Sequence, residues 1–141
     1  MEALEEAVGD LLPLFVRYHR EIAPEDAPAL DPDWQGLLRE AAFGRVLLVT
    51  ARHEEALVGF ALNMLYMHVF HRAVAHAVTH QWLDPAYRVG LFGLDMLKRN
   101  LVLLREKGVR RAYIATASEP VGKLYERAGY SFIEAAYVVT L

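Results

Sequence analysis

The run Trp82-Leu83-Asp84-Pro85-Ala86-Tyr87-Arg88-Val89-Gly90-Leu91-Phe92-Gly93-Leu94 constrains this chain more than any other stretch. Ala73–Leu83 ahead of it reads as a strand, Pro85 stops that strand, and Leu94, Leu97, Leu101 and Leu104 recur at helical spacing until Gly108 closes the helix after Lys107. A strand that enters a helix through a loop with spaced glycines is a layout that binds anions. Gly90 and Gly93 let backbone N–H groups approach a ligand, and the free N–H groups and positive dipole end at the helix start suit a pyrophosphate. Arg88 adds a fixed positive charge. The loop is not a dinucleotide fingerprint, which needs three glycines in Gly-x-Gly-x-x-Gly order, and it lacks the Gly-Lys-Ser/Thr ending of a P-loop, so nucleotide triphosphate hydrolysis is not supported.

Upstream, residues 2–22 place Leu4, Val8, Leu11, Leu12, Phe15 and Ile22 on a helical stripe, with Pro13 expected to kink the helix or restart it near Asp10. Ala23–Pro32 holds three prolines and reads as a loop. Asp33 then caps a short helix through Trp34, Leu37, Leu38 and Ala41 that ends at Gly44. Arg45–Ala51 and Ala56–Phe70, separated by Arg52-His53-Glu54-Glu55, read as an antiparallel hairpin whose second arm bends at Gly59. Beyond the long helix, Arg111–Thr116 reads as a strand, Pro120–Arg127 as a short helix ended by Gly129, and Ser131–Thr140 as a last strand. The expected order is α-α-β-β-β-α-β-α-β in a single domain, residues 1–141.

Composition narrows the function classes. The 55% of hydrophobic residues in 141 suffice for one substantial core. A net charge of −3 with scattered basic residues gives no pull toward nucleic acid. Cysteine is absent, which rules out disulfides, a cysteine zinc site and an acyl-cysteine intermediate. The longest nearly apolar run, Ala56–Phe70, contains Asn63 and His68 and is short for a membrane span, so a soluble cytoplasmic protein without a membrane partner is expected.

Asp-Pro-Ala-Tyr-Arg-Val-Gly-Leu-Phe-Gly-Leu, followed by Val109–Thr116 and then Lys123-Leu124-Tyr125-Glu126-Arg127-Ala128-Gly129-Tyr130, resembles the acetyl-CoA half of the GNAT superfamily of N-acetyltransferases. The resemblance covers residues 45–141, and the altered loop is similar to that of some bacteriophage-encoded members. The family loop is usually Arg/Gln-x-x-Gly-x-Gly/Ala. Here the glycines stand at the second and fifth positions after Arg88, with Leu91 where the first is expected. The resemblance implies a GNAT fold, a mixed and mostly antiparallel sheet flanked by helices, with the usual first strand missing before the first helix. Such a loss leaves Arg45–Ala51 as a sheet edge, to be covered by a homodimer partner or by an N-terminal segment.

It also implies an acetyl-CoA-dependent N-acetyltransferase acting by direct attack of a small-molecule or peptide amine. Gln81, Trp82 and Leu83 would run beside the pantetheine, Arg88, Val89, Gly90, Leu91, Phe92 and Gly93 would hold the pyrophosphate, and Tyr125 would protonate the departing thiolate. Ser118 stands where the family usually carries an Asn against the pantetheine. For the base, His80 has the best intrinsic pKa on the incoming strand, although alternation puts Ala77, Thr79 and Gln81 on one face and His76, Val78 and His80 on the other. Tyr113 is the reserve. No metal is expected: His76 and His80 on a strand lie about 13 Å apart, and His68 and His71 flank a turn without a carboxylate or cysteine. The acidic residues Glu5, Glu6, Asp10, Glu21, Glu25 and Asp26 either attract a cationic amine or form a solvated face. The alternative to an enzyme is a GNAT-fold module that binds CoA without turnover.

Overall fold

A computed structural model describes residues 1–141. Two helices, α1 (Leu4–Ile22) and α2 (Trp34–Ala42), precede the strands β1 (Val46–His53), β2 (Ala56–Met67) and β3 (Ala75–Leu83). A 3-10 turn over Pro85–Tyr87 leads to α3 (Phe92–Glu106), followed by β4 (Arg111–Ile114) and α4 (Glu119–Ala128). The sheet order is β1-β2-β3-β4; the first three strands are antiparallel, and β4 joins β3 in parallel. This is the expected α/β class.

One face of the sheet packs on α1 and α2, where Leu4, Ala7, Leu11, Leu14 and Phe15 meet Val46, Leu48, Phe60, Leu62 and Trp82. Phe15 and Trp34 stack at 5.3 Å between ring centroids and join the two helices. The other face packs on α3 through Met96 and Leu104. There Asn63, Thr79 and Asn100 form a buried polar knot: Thr79 Oγ1 and Asn100 Nδ2 donate to Asn63 Oδ1 at 2.7 and 2.9 Å, and Asn63 Nδ2 donates to Asn100 Oδ1 at 2.7 Å. The knot fixes β2, β3 and α3 in one register with its polar atoms paired.

Local signals act as expected at most element ends. Asp33 accepts from Gly36 N at 2.8 Å, and Gly44, Gly108 and Gly129 take the left-handed conformation that ends a helix. The hairpin turns on Glu54 and Glu55, both with positive φ, and Gly59 sits where an added Cβ would lie 3.0 Å from the Trp82 carbonyl oxygen.

Three expectations need correction. Pro13 lies inside a continuous α1, because burial of Leu11, Leu14 and Phe15 around it outweighs the roughly 3 kcal/mol that an interior proline costs. The buried stripe of α1 is Leu4, Ala7, Leu11, Leu14 and Phe15, so Leu12 and Ile22 face outward, 43% and 56% exposed. Residues 131–141 form no strand and stand exposed, since no neighbouring strand supplies their backbone with partners. As expected, no strand precedes α1 and an N-terminal segment covers the β1 edge: Glu2 N donates to Leu48 O at 3.3 Å, and the Glu2 carboxylate accepts from Thr50 Oγ1 and Arg52.

Candidate active site

The feature that opens the site is a mismatch of strand lengths. β3 pairs with β2 as far as Leu83, but with β4 only over His76–Thr79. From His80 to Leu83, β3 has no strand on its β4 side. The gap is bordered by Tyr125 and Tyr130, whose rings lie 5.9 Å apart and whose hydroxyls are both pushed up to about 12, chiefly by burial. Two polar atoms here are buried without a partner, Gln81 Oε1 and Tyr130 Oη. The Thr79 hydroxyl pulls Tyr130 down, against burial, but Thr79 spends its proton on Asn63 and its geometry with Tyr130 falls short of a hydrogen bond. An orphaned acceptor and an orphaned hydroxyl suit a ligand that carries amide groups, as a pantetheine arm does. Tyr125 Oη takes no hydrogen bond from the chain; burial first, then the nearby Tyr18 and Tyr130, raises its value.

At the end of the gap stands the start of α3. Leu91, its N-cap, offers no side-chain capping bond, and the backbone N–H groups of Gly90, Leu91, Gly93 and Leu94 have no backbone acceptor. Gly90 supplies the turn with φ +57° and has open space around its Cα. Gly93 lies in the first turn of α3, where an added Cβ would make ordinary contact with Leu124 at 3.6 Å and Leu83 at 3.9 Å.

Arg88 does not point at this anion site. Its two terminal nitrogens grip Glu21 of α1 at 2.7 Å each, and Nε donates to the Leu83 carbonyl at 2.7 Å. Trp82 Nε1 shares the same carboxylate at 2.6 Å, while its ring is buried in the α1 core. The hydrogen bond to Arg88 is the main cause of the lowered Glu21 value, and Glu21 in turn raises Arg88. The pair ties α1 to the loop and neutralises the charge expected at the pyrophosphate. Ser118 caps α4 through Val121 N at 3.4 Å, which accounts for it structurally. Val89, Leu91 and Phe92 are exposed at the loop surface.

The opposite face holds a cleft of about 370 Å³ between α1, the 28–32 loop and β2–β3. His80 reaches it, its Nδ1 lying 3.2 Å from the Tyr18 hydroxyl. Burial lowers His80 below its usual value, so the ring is neutral near pH 7. The tautomer in which Nδ1–H donates to Tyr18 leaves Nε2 with a lone pair, as a base requires. Strand alternation is as the sequence implies, and the face of β3 that carries His80 is the cleft face. Tyr18 was not singled out from the sequence; the only available signal was a tyrosine one turn before the end of an amphipathic helix.

His68, His71 and His76 are brought together, with ring centroids 5.0, 5.0 and 6.1 Å apart, at the far end of β3. They pack ring on ring, and no three His, Asp or Glu side chains stand in an arrangement that could hold a metal ion. Tyr113 stacks on His76 at 5.8 Å, away from His80, and is not placed as a reserve base.

The open mixed sheet flanked by helices is a fold that the chain shares with solved acetyltransferases, a GCN5-related N-acetyltransferase among them. Among solved structures, the chain is similar to the ribosomal-protein-alanine N-acetyltransferase of Brucella melitensis biovar Abortus 2308, with TM-score 0.72 and 18% identity over 96% of this chain and 92% of that one. An aminoglycoside acetyltransferase from an uncultured soil metagenomic sample matches with TM-score 0.69 and 14% identity, covering 92% of this chain and 90% of that one. A "predicted acetyltransferase with acetyl-CoA" from Clostridium acetobutylicum matches with TM-score 0.66 and 12% identity, covering 98% and 90%. At such identities the likeness establishes the fold. No family sequence model and no curated protein sequence matches the chain. No helix is long and apolar enough to cross a membrane.

Proposed function

We propose that the chain is an acetyl-CoA-dependent N-acetyltransferase that transfers the acetyl group directly to an amine. The observation that carries this reading is the gap beside His80–Leu83, with orphaned polar atoms inside it, a free helix N-terminus at one end and the His80 cleft on its other side. A structural neighbour described with acetyl-CoA supports the choice of donor.

Acetyl-CoA supplies a thioester: as the amine nitrogen bonds to the acyl carbon the C–S bond breaks, the nitrogen loses a proton, and the sulfur leaves as a thiolate that takes its proton from solvent. The N–H groups of Gly90, Leu91, Gly93 and Leu94 receive the pyrophosphate, with the α3 dipole aiding them. Gln81 Oε1 accepts from, and Tyr130 Oη donates to, the amides of the pantetheine arm. His80 Nε2 takes the proton that the amine sheds, directly or through one water. Tyr125, protonated throughout, donates a hydrogen bond to the sulfur as negative charge gathers there.

Acetyl-CoA at 100 times its dissociation constant should stabilise the protein by about 2.7 kcal/mol, raising Tm by roughly 9 °C for a domain of this size. Thiol release with an amine panel then tests turnover. Stabilisation without thiol release favours the non-catalytic CoA-binding module, a reading that the displaced Arg88 supports. Homodimerisation belongs to the same proposal, but its surface changes. β1 is covered, whereas β4 is paired on one side only and Phe132, Tyr137, Val138 and Leu141 stand in the unpaired C-terminal segment. We infer that this segment adds to β4 of a second copy. Light scattering of the full chain against one ending at Tyr130 tests it: two monomers refute the assembly.

A further inference from the structure

On the reading that the cleft beside His80 receives the acceptor, we propose that the acceptor is a monoamine on a compact apolar body, not a polyamine or a multiply charged sugar amine. The cleft walls are mainly apolar, with Phe15, Leu30, Phe60 and Leu62 among them, and prolines shape the loop side. At about 370 Å³ the space is near the lower end of small-ligand sites, roughly 300–1,000 Å³. It suits a ring or a short alkyl chain.

The charges decide the rest. From the sequence, the carboxylates of α1 and its following loop offered a broad negative field for a cation. The structure engages three of those six elsewhere. Asp10 pairs with Arg52, Glu21 is gripped by Arg88, and Asp26 accepts from Thr140. Beyond α1, Asp33 caps α2 and Asp84 pairs with Arg17. Of the cleft wall, Asp31 is the single carboxylate; His19 and His80 are its other ionisable groups besides Tyr18. One carboxylate matches one ammonium. A second or third ammonium would enter an apolar wall unpaired, where nothing offsets the cost of its desolvation. Asp31 recruits the protonated amine, and the free-base fraction reacts beside His80.

The test uses binding without acetyl-CoA, so that it does not depend on turnover. 2-Phenylethylamine, its neutral analogue 2-phenylethanol and spermidine are titrated into the full chain, followed by the His80 ring proton shifts. 2-Phenylethylamine is expected to bind at least tenfold tighter than either comparator. Asp31→Asn should abolish its advantage over 2-phenylethanol, and Leu30→Asp, which adds a second carboxylate to the wall, should raise spermidine affinity at least fivefold. Spermidine binding as tightly as 2-phenylethylamine in the parent protein, equal binding of amine and alcohol, or no shift of His80 with any probe overturns the proposal. The enzyme reading fails separately. Selective amine binding with no thiol release from acetyl-CoA would refute catalysis and keep the acceptor class, whereas turnover that prefers spermidine would keep catalysis and refute the class.

Discussion

Replacing Tyr125 by Phe separates a catalytic hydroxyl from a packing ring, and the structure fixes what each outcome must be. Its phenol is pushed up to about 12, above a thiol, which titrates near about 8.5, so complete proton transfer to sulfur is uphill. The hydroxyl therefore acts as a hydrogen-bond donor to a thiolate in formation. A bond of that charge-assisted kind contributes about 1.5–3 kcal/mol, so its loss should slow single-turnover acetyl transfer by about 10- to 150-fold. Stability should hardly move. The Tyr125 hydroxyl bonds to nothing in the chain, and the phenylalanine ring keeps the 5.9 Å packing against Tyr130. The experiment pairs rapid-quench transfer with a melting curve on the same preparation. A Tyr125→Phe protein that transfers at the parental rate refutes the donor role, and one that melts several degrees lower at parental rate makes Tyr125 a structural residue.

Further expectations concern other parts of the site. Because burial depresses His80, the His80-dependent limb of kcat/KM should fall only below pH 6.5, and His80→Asn should remove that limb; a limb unchanged in the variant refutes the base. The same depression means the unfolded chain binds the extra proton first, so the His80 contribution to stability is complete above about pH 6.5 and declines as pH falls through its folded value, readable as a shallower acid branch of Tm in His80→Asn. Asn100→Ala removes two buried hydrogen bonds of 2.7 and 2.9 Å and leaves a void, at a cost of about 2–4 kcal/mol, or roughly 10 °C in Tm; a loss below 1 kcal/mol by urea denaturation would show that the knot is not structural. Arg88→Gln should leave acetyl-CoA affinity within about twofold by calorimetry, since its charge is spent on Glu21, and should lower stability by under about 1 kcal/mol because both partners are well exposed; a tenfold loss of affinity would restore it to the pyrophosphate site.

Local rules account for much that was legible beforehand. Asp33 capping, the stops at Gly44, Gly108 and Gly129, and the leucine period of α3 depend on neighbours a few residues away, and all are realised. The side of β3 that carries His80 followed from strand alternation. The strand expected over Ser131–Thr140 failed for the converse reason: alternating apolar residues provide one half of a ladder, and the other half must come from elsewhere in space.

What the sequence determined by itself is therefore the set of elements as far as Gly129, the glycine-spaced entry to α3 and the residue types available for acyl transfer. The tertiary structure alone decided how they are used. Arg88 and Glu21 are 67 residues apart, and only the docking of α1 beside the loop turns an expected phosphate ligand into a clasp. Tyr18 and His80, 62 positions apart, meet because α1 crosses the sheet face on which His80 stands. Each of these outcomes rests on a through-space contact between distant segments, and periodicity and propensity describe only segments that are near in the chain.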